Sequence, residues 1–155
     1  MYWKIKNGLI HLFCRSPVYE PISRFVSSCQ NMRMAFGAAW EWKVPKRGET
    51  IFTFFNNELE GILYASVLSY QDKSYKYNPN KSLEINQDNS PVLLDLSKYK
   101  AVLYTTEEKG SNVFYRHYEI GHNQTLARFT WMTPIPDDEK TNRSVESLFE
   151  TIEIK

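Results

Sequence analysis

The stretch 112–132, NVFYRHYEIGHNQTLARFTWM, indicates a β-hairpin. Successive side chains of a strand point to opposite faces of the sheet. The alternation therefore separates Phe114, Arg116, Tyr118 and Ile120 from Val113, Tyr115, His117 and Glu119. A turn over the four residues 121–124 predicts that Phe114 faces Trp131, Arg116 faces Phe129 and Tyr118 faces Ala127. Aromatic cross-strand pairs contribute about 0.2–1 kcal/mol each, so the Phe114 face is the expected core face, with Arg116 at its edge.

The same stretch raises the question of a catalytic or metal site at His117, Glu119 and His122. His117 and Glu119 share a face, as a base and its orienting carboxylate would. Catalytic zinc takes three protein ligands, whereas His122 falls in the expected turn, out of phase with the other two. The sequence therefore predicts no catalytic residue and no metal ligand here, and His117 is expected to be a half-exposed histidine opposite Arg128.

Outside this hairpin, residue patterns predict further strands and two main helices. Asn7-Gly8 suits a type I′ turn and indicates a hairpin over 1–12. Apolar residues at helical spacing, with Pro21 suited to the first turn, predict a helix over 21–36. A run rich in β-branched and aromatic residues predicts strands over 51–55 and 62–68, and a second helix is expected over 141–150.

Length and composition favour one folded domain. The chain has 155 residues, of which 42% are hydrophobic and 24% charged, and single domains commonly contain about 100–150 residues. We expect one domain over 1–155, of α+β class, with a strongly curved mixed sheet or a small open β-barrel. The polar segment 71–91 is too long for an ordinary connection and is expected to be a mobile loop or a small outlying hairpin.

Charge is unevenly distributed along the chain. Residues 1–47 contain eight Lys or Arg against Glu20 and Glu41, which leaves +6, so the remainder must carry −5 to give the net charge of +1. A basic third is compatible with a face that meets a polyanion. A merely solvated basic face is the alternative that this pattern leaves open.

The two cysteines predict the compartment. Cys14 and Cys29 have no metal-site spacing, which favours reduced thiols in the cytoplasm. Apolar runs stay well short of the roughly 20 residues that span a bilayer, so no membrane association is expected. No glycine loop or nucleophile motif is present, and no cofactor is expected.

Three segments resemble the PUA-like superfamily, in particular its EVE and YTH branches. Gly48-Glu49 ahead of IFTFF, and Gly61 at the start of GILYASVLS, match the order of that family's central strands. The opening MYWKIKN is similar to its first strand, and LARFTWMTPIPDDE to the closing strand of the EVE branch. The resemblance implies a small barrel that cradles a single nucleic-acid base, often a modified one.

Carried onto this sequence, the resemblance implies a base pocket and a basic rim. Phe25 stands ahead of Asn31 where the YTH branch has a tryptophan ahead of an asparagine, so the cage tryptophan is absent there and Trp40 or Trp42 would substitute. Asn56 lies where the EVE branch has a small polar residue. Residue type alone supports the same set, since bases stack on aromatic rings, amides read base edges and cations hold phosphates. The expected phosphate-binding residues are Lys4, Lys6, Arg33, Lys43, Lys46 and Arg47.

The leading functional hypothesis is thus a non-enzymatic DNA- or RNA-binding domain. The alternative is a small protein-interaction factor, an inhibitor or adaptor, that acts through an aromatic, tyrosine-rich surface. Tyr, Trp and Arg are enriched at protein interfaces, and the chain has ten tyrosines. A small hydrolase using His117 and Glu119 is a third hypothesis, which lacks a recognisable motif.

Overall fold

The computed structural model describes residues 18–111, 113–133 and 138–155. The hairpin predicted over 1–12, with Lys4 and Lys6, lies outside the described residues. Two sheets and two helices make up the described part, and β-strands dominate it.

The larger sheet has eight strands. In spatial order these are β1 (Tyr19–Pro21), β4 (Trp40–Lys43), β5 (Ile51–Asn56), β6 (Gly61–Ser69), β10 (Thr125–Thr133), β9 (Phe114–His122), β8 (Lys100–Glu107) and β7 (Val92–Asp95). Every neighbouring pair is antiparallel. The smaller sheet has three strands, in the order β11 (Glu153–Ile154), β3 (Met32–Ala35) and β2 (Arg24–Val26).

The predicted fold class is wrong. The sheet is antiparallel throughout rather than mixed, and it is open, with β1 at one edge and β7 at the other. Two meanders build it, β4–β5–β6 and β7–β8–β9–β10, and they meet where β6 pairs with β10. Because the two ends of the strand order do not pair with each other, the residues that the structure describes do not close into a barrel.

The helices differ in how well the sequence predicted them. Helix α2 (Glu139–Phe149) confirms the helix expected over 141–150, and its buried side chains include Val145, Leu148 and Phe149. Helix α1 (Pro79–Ile85) lies in the segment 71–91, which was wrongly expected to be a loop or hairpin. The Asn78 side chain accepts a hydrogen bond from the Asn80 N–H and thereby caps the N-terminus of α1. Neither helix is long and apolar enough to cross a membrane.

The helix predicted over 21–36 is instead two strands, β2 and β3, joined by a tight turn. Gln30 adopts a left-handed conformation, with φ of 55°, and the Ser27 hydroxyl accepts the N–H groups of Asn31 and Met32 across the turn. Met32, Met34 and Phe36 are all buried. Their spacing of two is the signal of a strand that the helical interpretation passed over.

The hairpin of β9 and β10 is confirmed as a hairpin, but its register differs by two residues. The turn contains only Asn123 and Gln124, and Asn123 adopts φ of 50°, a conformation that asparagine tolerates. Trp131 therefore lies opposite Arg116, and Phe129 opposite Tyr118. The faces themselves are as predicted, because a shift of two residues preserves the alternation.

The core lies between the inner face of the large sheet, the small sheet and α2. Trp131, Tyr118, Phe54, Phe129 and Phe149 are its largest fully buried side chains. The Trp131 indole lies directly on Gly61, so closely that a Cβ at position 61 would stand 2.1 Å from the ring. Glycine is therefore required at position 61 because the Trp131 indole approaches the backbone closely, and not because of the backbone conformation.

We expect Gly61→Ala to lower the free energy of unfolding by about 1–3 kcal/mol, the usual cost of overpacking a core. Urea unfolding followed by circular dichroism measures this change. Gly37→Ala is the matched control, because a Cβ at Gly37 meets nothing within 4 Å. Equal loss of stability in the two variants would contradict the contact.

Candidate functional site

The aromatic residues predicted to line a base pocket are part of the core. Phe25 and Trp40 are buried, with 2% and 6% of their surface exposed. Phe25 packs edge-on against Phe52 at 4.8 Å between ring centroids, and Trp40 packs edge-on against Trp131 at 6.1 Å. Trp42 is half-buried and stacks on Phe54. The structure therefore does not bring these rings together around an open pocket.

The two amides assigned to base reading are engaged in local structure. The Asn31 Nδ2 group donates to the Thr125 hydroxyl at 2.9 Å, and the Asn31 Oδ1 atom accepts from Ser27 at 2.5 Å. Asn56 is buried, and its Oδ1 atom accepts the N–H groups of Glu58 and Leu59, which closes the turn after β5. Both side chains thus join or shape elements of the fold.

The predicted phosphate-binding residues are dispersed. Arg33 lies on β3 in the small sheet, beside a cavity that Arg24 and Lys155 also line. Lys43 pairs with Glu49 at 3.8 Å. Lys46 and Arg47 are exposed in the turn after β4. Lys4 and Lys6 lie outside the described residues, so the structure does not place one basic rim around one pocket.

His117 is held on the outer face of the large sheet, the face opposite to the core. Its Nε2 atom lies 2.9 Å from the Thr106 hydroxyl and its Nδ1 atom 3.0 Å from the Thr130 hydroxyl. The ring stacks on Tyr104, with 4.7 Å between centroids. A neutral imidazole has one donor and one acceptor, which the two hydroxyls satisfy. Because both ring nitrogens are hydrogen-bonded, the His117 ring is held in a fixed orientation on this surface.

Glu119 has a structural role. The carboxylate accepts hydrogen bonds from the Ser82 hydroxyl on α1 and, at 3.1 Å, from Nε of Arg128 on β10. It thereby attaches α1 to the outer face of the sheet. His122 is exposed and contacts Tyr99 rather than His117. No three His, Cys, Asp or Glu side chains of the described residues group as metal ligands, and the expectation of no metal stays a prediction.

Two cross-strand rows of side chains run over the outer face beside α1. Each row crosses β5, β6, β10, β9 and β8 in that order, one residue per strand. The rows are Thr53–Tyr64–Thr130–His117–Tyr104 and Phe55–Ile62–Met132–Tyr115–Thr106. All ten side chains are partly exposed. We call these ten residues the tyrosine face.

The tyrosine face itself carries no formally charged side chain apart from the titratable His117. In the described part of the chain, two cations that border it are ion-paired, Arg128 with Glu119 at 3.1 Å and Lys43 with Glu49 at 3.8 Å. Burial raises the pKa of the Tyr104 hydroxyl, so this hydroxyl is neutral at physiological pH and can donate a hydrogen bond. The surface is therefore uncharged and aromatic, with threonine and tyrosine hydroxyls between its apolar groups.

From the sequence, most of the tyrosines of this face were counted but were not assigned to a surface. The alternation that placed Tyr115 and His117 opposite to the core was correct, and the same period places Tyr64 between the buried Leu63 and Ala65. The missing information was the pairing of five strands. Only that pairing brings residues 53–64 together with residues 104–132.

The fold is similar to those of two solved structures. A crystal structure of a protein from Bacteroides thetaiotaomicron VPI-5482 matches with a TM-score of 0.66 and 17% identity, over 88% of this chain and 49% of that one. The solution structure of cyanobacterial PsbP (CyanoP) from Synechocystis sp. PCC 6803 matches with a TM-score of 0.53 and 9% identity, over 92% and 95% of the two chains. This chain therefore spans about half the length of the first. At these identities the likeness shows the fold alone.

No protein-family model and no curated protein matches the chain. Neither structural neighbour indicates a PUA-like, EVE or YTH domain. The resemblance to that superfamily stays a prediction, although the barrel it implied is not the fold found.

The pH dependence of stability tests the partly buried, neutral state of His117. Burial lowers the pKa of His117 below its ordinary value of 6.5, and the nearby Glu119 opposes this change. The folded chain therefore binds this proton less readily than the unfolded chain. The stability that neutral His117 contributes is complete above about pH 6.5 and is lost as pH falls through the folded-state pKa.

We therefore expect the free energy of unfolding to fall less steeply from about pH 7 to pH 5 in His117→Gln than in the wild type. Urea titrations at several pH values measure the two slopes. Thr105→Gln, at an exposed position on β8, is the control for introducing glutamine into the sheet and should keep the wild-type slope. Equal slopes for His117→Gln and the wild type would show that His117 is not held neutral.

Proposed function

We propose that this chain is a non-enzymatic protein-interaction module that binds an apolar peptide segment of a partner on the tyrosine face. The observation that carries the proposal is the pair of continuous cross-strand rows, which place Phe55, Ile62, Tyr64, Tyr115 and Met132 on one partly exposed surface. Aromatic residues and methionine are the types enriched at protein interfaces.

Dimensions of the face favour a peptide over a globular partner or a second copy of the chain. Five strands at about 4.8 Å spacing occupy a width of about 24 Å, and two rows, each covering two residues, occupy about 13 Å along the strands. The resulting area is on the order of 300 Å², whereas a stable protein complex buries roughly 800 Å² on each partner. A peptide helix of about 16 residues has the length of this face.

Rigidity supports the proposal as well. The hydrogen bonds between His117 and the Thr106 and Thr130 hydroxyls, together with the stacking of His117 on Tyr104, join three strands. A surface already fixed in shape loses little conformational entropy when a ligand binds. The face can therefore recognise a short ligand without reorganising.

Cys29 is exposed and has no disulfide partner among the described residues. This supports the cytoplasm as the location, since exposed thiols persist in reducing compartments. Nucleic-acid binding stays a prediction. Its expected base-stacking rings Phe25 and Trp40 are buried, and two cations that border the tyrosine face are ion-paired with carboxylates. These observations make the peptide the better-supported partner.

Selection from a phage-displayed library of random 16-residue peptides tests the proposal with a defined ligand. We expect the selected peptides to share an apolar or aromatic stripe and to bind the full chain with micromolar dissociation constants. Met132→Lys and Tyr115→Lys should weaken that binding at least tenfold, because each places a charge on the apolar row. Thr105→Lys, exposed on β8 outside the ten residues, is the control of equal charge and should bind as the wild type does.

Three outcomes would contradict the proposal. Selected peptides that bind Met132→Lys as well as the wild type would move the site elsewhere. A dimer seen by analytical ultracentrifugation and dissolved by Met132→Lys would make a second copy the occupant. Photocrosslinks from position 115 to residues 1–17 of the same chain would make that segment the occupant.

The nucleic-acid prediction has its own test. Labelled single- and double-stranded DNA and RNA, with and without modified bases, are titrated at low salt. Binding that weakens steeply with salt and is lost in Lys46→Glu with Arg47→Glu would restore nucleic acid as the leading function, because phosphate contacts give that salt dependence.

A further inference from the structure

A second surface, separate from the tyrosine face, concentrates positive charge in a concave site. A cavity of about 310 Å³ lies where the loop before α1, the β7–β8 turn and the β9–β10 turn meet. Its principal lining residues are Lys76, Tyr77, Lys98, Tyr99, Lys100 and His122. We call it the lysine cleft. Its volume is at the lower end of small-molecule sites, which span about 300–1,000 Å³.

Fixed contacts hold the walls of the lysine cleft. The Tyr77 N–H donates to the Asn123 carbonyl at 3.0 Å, which joins the loop to the β9–β10 turn. The Tyr77 ring lies on Gly121 so closely that a Cβ there would stand 2.2 Å from it. The Tyr99 hydroxyl accepts the Ile154 N–H at 2.9 Å, which anchors the third wall to β11. The cleft is therefore preformed.

The charge in the cleft is only partly balanced. Lys98 pairs with Glu153 at 3.7 Å, with both side chains more than half exposed. Lys76 and Lys100 form no ion pair with any residue of 18–111, 113–133 or 138–155, although Asp95 is the cross-strand neighbour of Lys100. Two ammonium groups are thus available beside His122, whose imidazole ring carries an N–H donor.

We propose that the lysine cleft binds the phosphate group of a small organic phosphate. Two ammonium groups balance the charge of a phosphate dianion. Phosphate oxygens accept hydrogen bonds from lysine ammonium groups and from imidazole N–H groups. Tyr99 and His122, with ring centroids 5.7 Å apart, form an aromatic wall for the organic part of the ligand. The cleft holds a group of this size and excludes a folded partner.

Titrations followed by ¹H–¹⁵N NMR test the proposal at 20 mM NaCl. Adenosine 5′-monophosphate and inorganic phosphate should shift the amide signals of Tyr77, Lys100 and Gly121, whereas adenosine, which lacks the phosphate, should not. Lys76→Ala with Lys100→Ala should raise the dissociation constant for the monophosphate at least tenfold. Lys81→Ala with Lys140→Ala removes the same charge at two exposed positions outside the cleft and should leave it within twofold of the wild type.

Three results would overturn the proposal. The first is the absence of shifts at 10 mM of either phosphate compound. The second is an equal loss of affinity in the two double variants, which would indicate attraction by net charge alone. The third is tight binding of a ten-nucleotide single-stranded DNA at the same amides with a steep salt dependence, which would make the cleft a polyanion surface.

Discussion

The contact between the Trp131 indole and the backbone of Gly61 fixes the arrangement on which the rest of the sheet depends. It lies where the two meanders meet, since β6 and β10 pair over eight of their nine residues. Once Trp131 faces inward, Phe129 and Ala127 must do so too, and Thr130 and Met132 must face outward. One close contact in the core therefore determines which side chains form the tyrosine face. The surface is a consequence of core packing as much as of its own residues.

Local alternation allowed part of this arrangement to be predicted from the sequence. The faces of β9 and β10 were predicted correctly from spacing alone, because a strand repeats every two residues whatever its partner. The register was wrong because it depends on the turn, and Asn123 accepts the left-handed conformation that a two-residue turn requires. The segment 21–36 was misassigned for a related reason. Ile22, Phe25, Val26 and Cys29 fit helical spacing, while Met32, Met34 and Phe36 fit a strand.

The burial of Phe25 and Trp40, two of the rings assigned to a base pocket, was missed because residue type does not report burial. Trp40 and Trp42 are two residues apart on a strand, as are Phe52 and Phe54 on the next, so the pleat turns all four toward the same side. That shared direction was available from the sequence and points to a core. The tyrosine face was not available, because its ten residues come from five strands whose spatial order differs from their order in the chain. Which of these strands pair with each other is determined by the whole fold and not by any single segment.

Along β9, the contact of helix α1 at Glu119 lies between His117 of the tyrosine face and Gly121 of the lysine cleft. Ser82 attaches the helix to Glu119, and the Tyr77 ring ahead of it lies on Gly121, two residues further along β9. On one side of these contacts the surface is aromatic and uncharged, and on the other side it is concave and rich in lysine. Pairing Glu119 with Arg128 places the neutralised charges at this boundary. The same carboxylate that first suggested catalysis beside His117 instead holds α1 on the sheet and neutralises Arg128 at the margin of the tyrosine face.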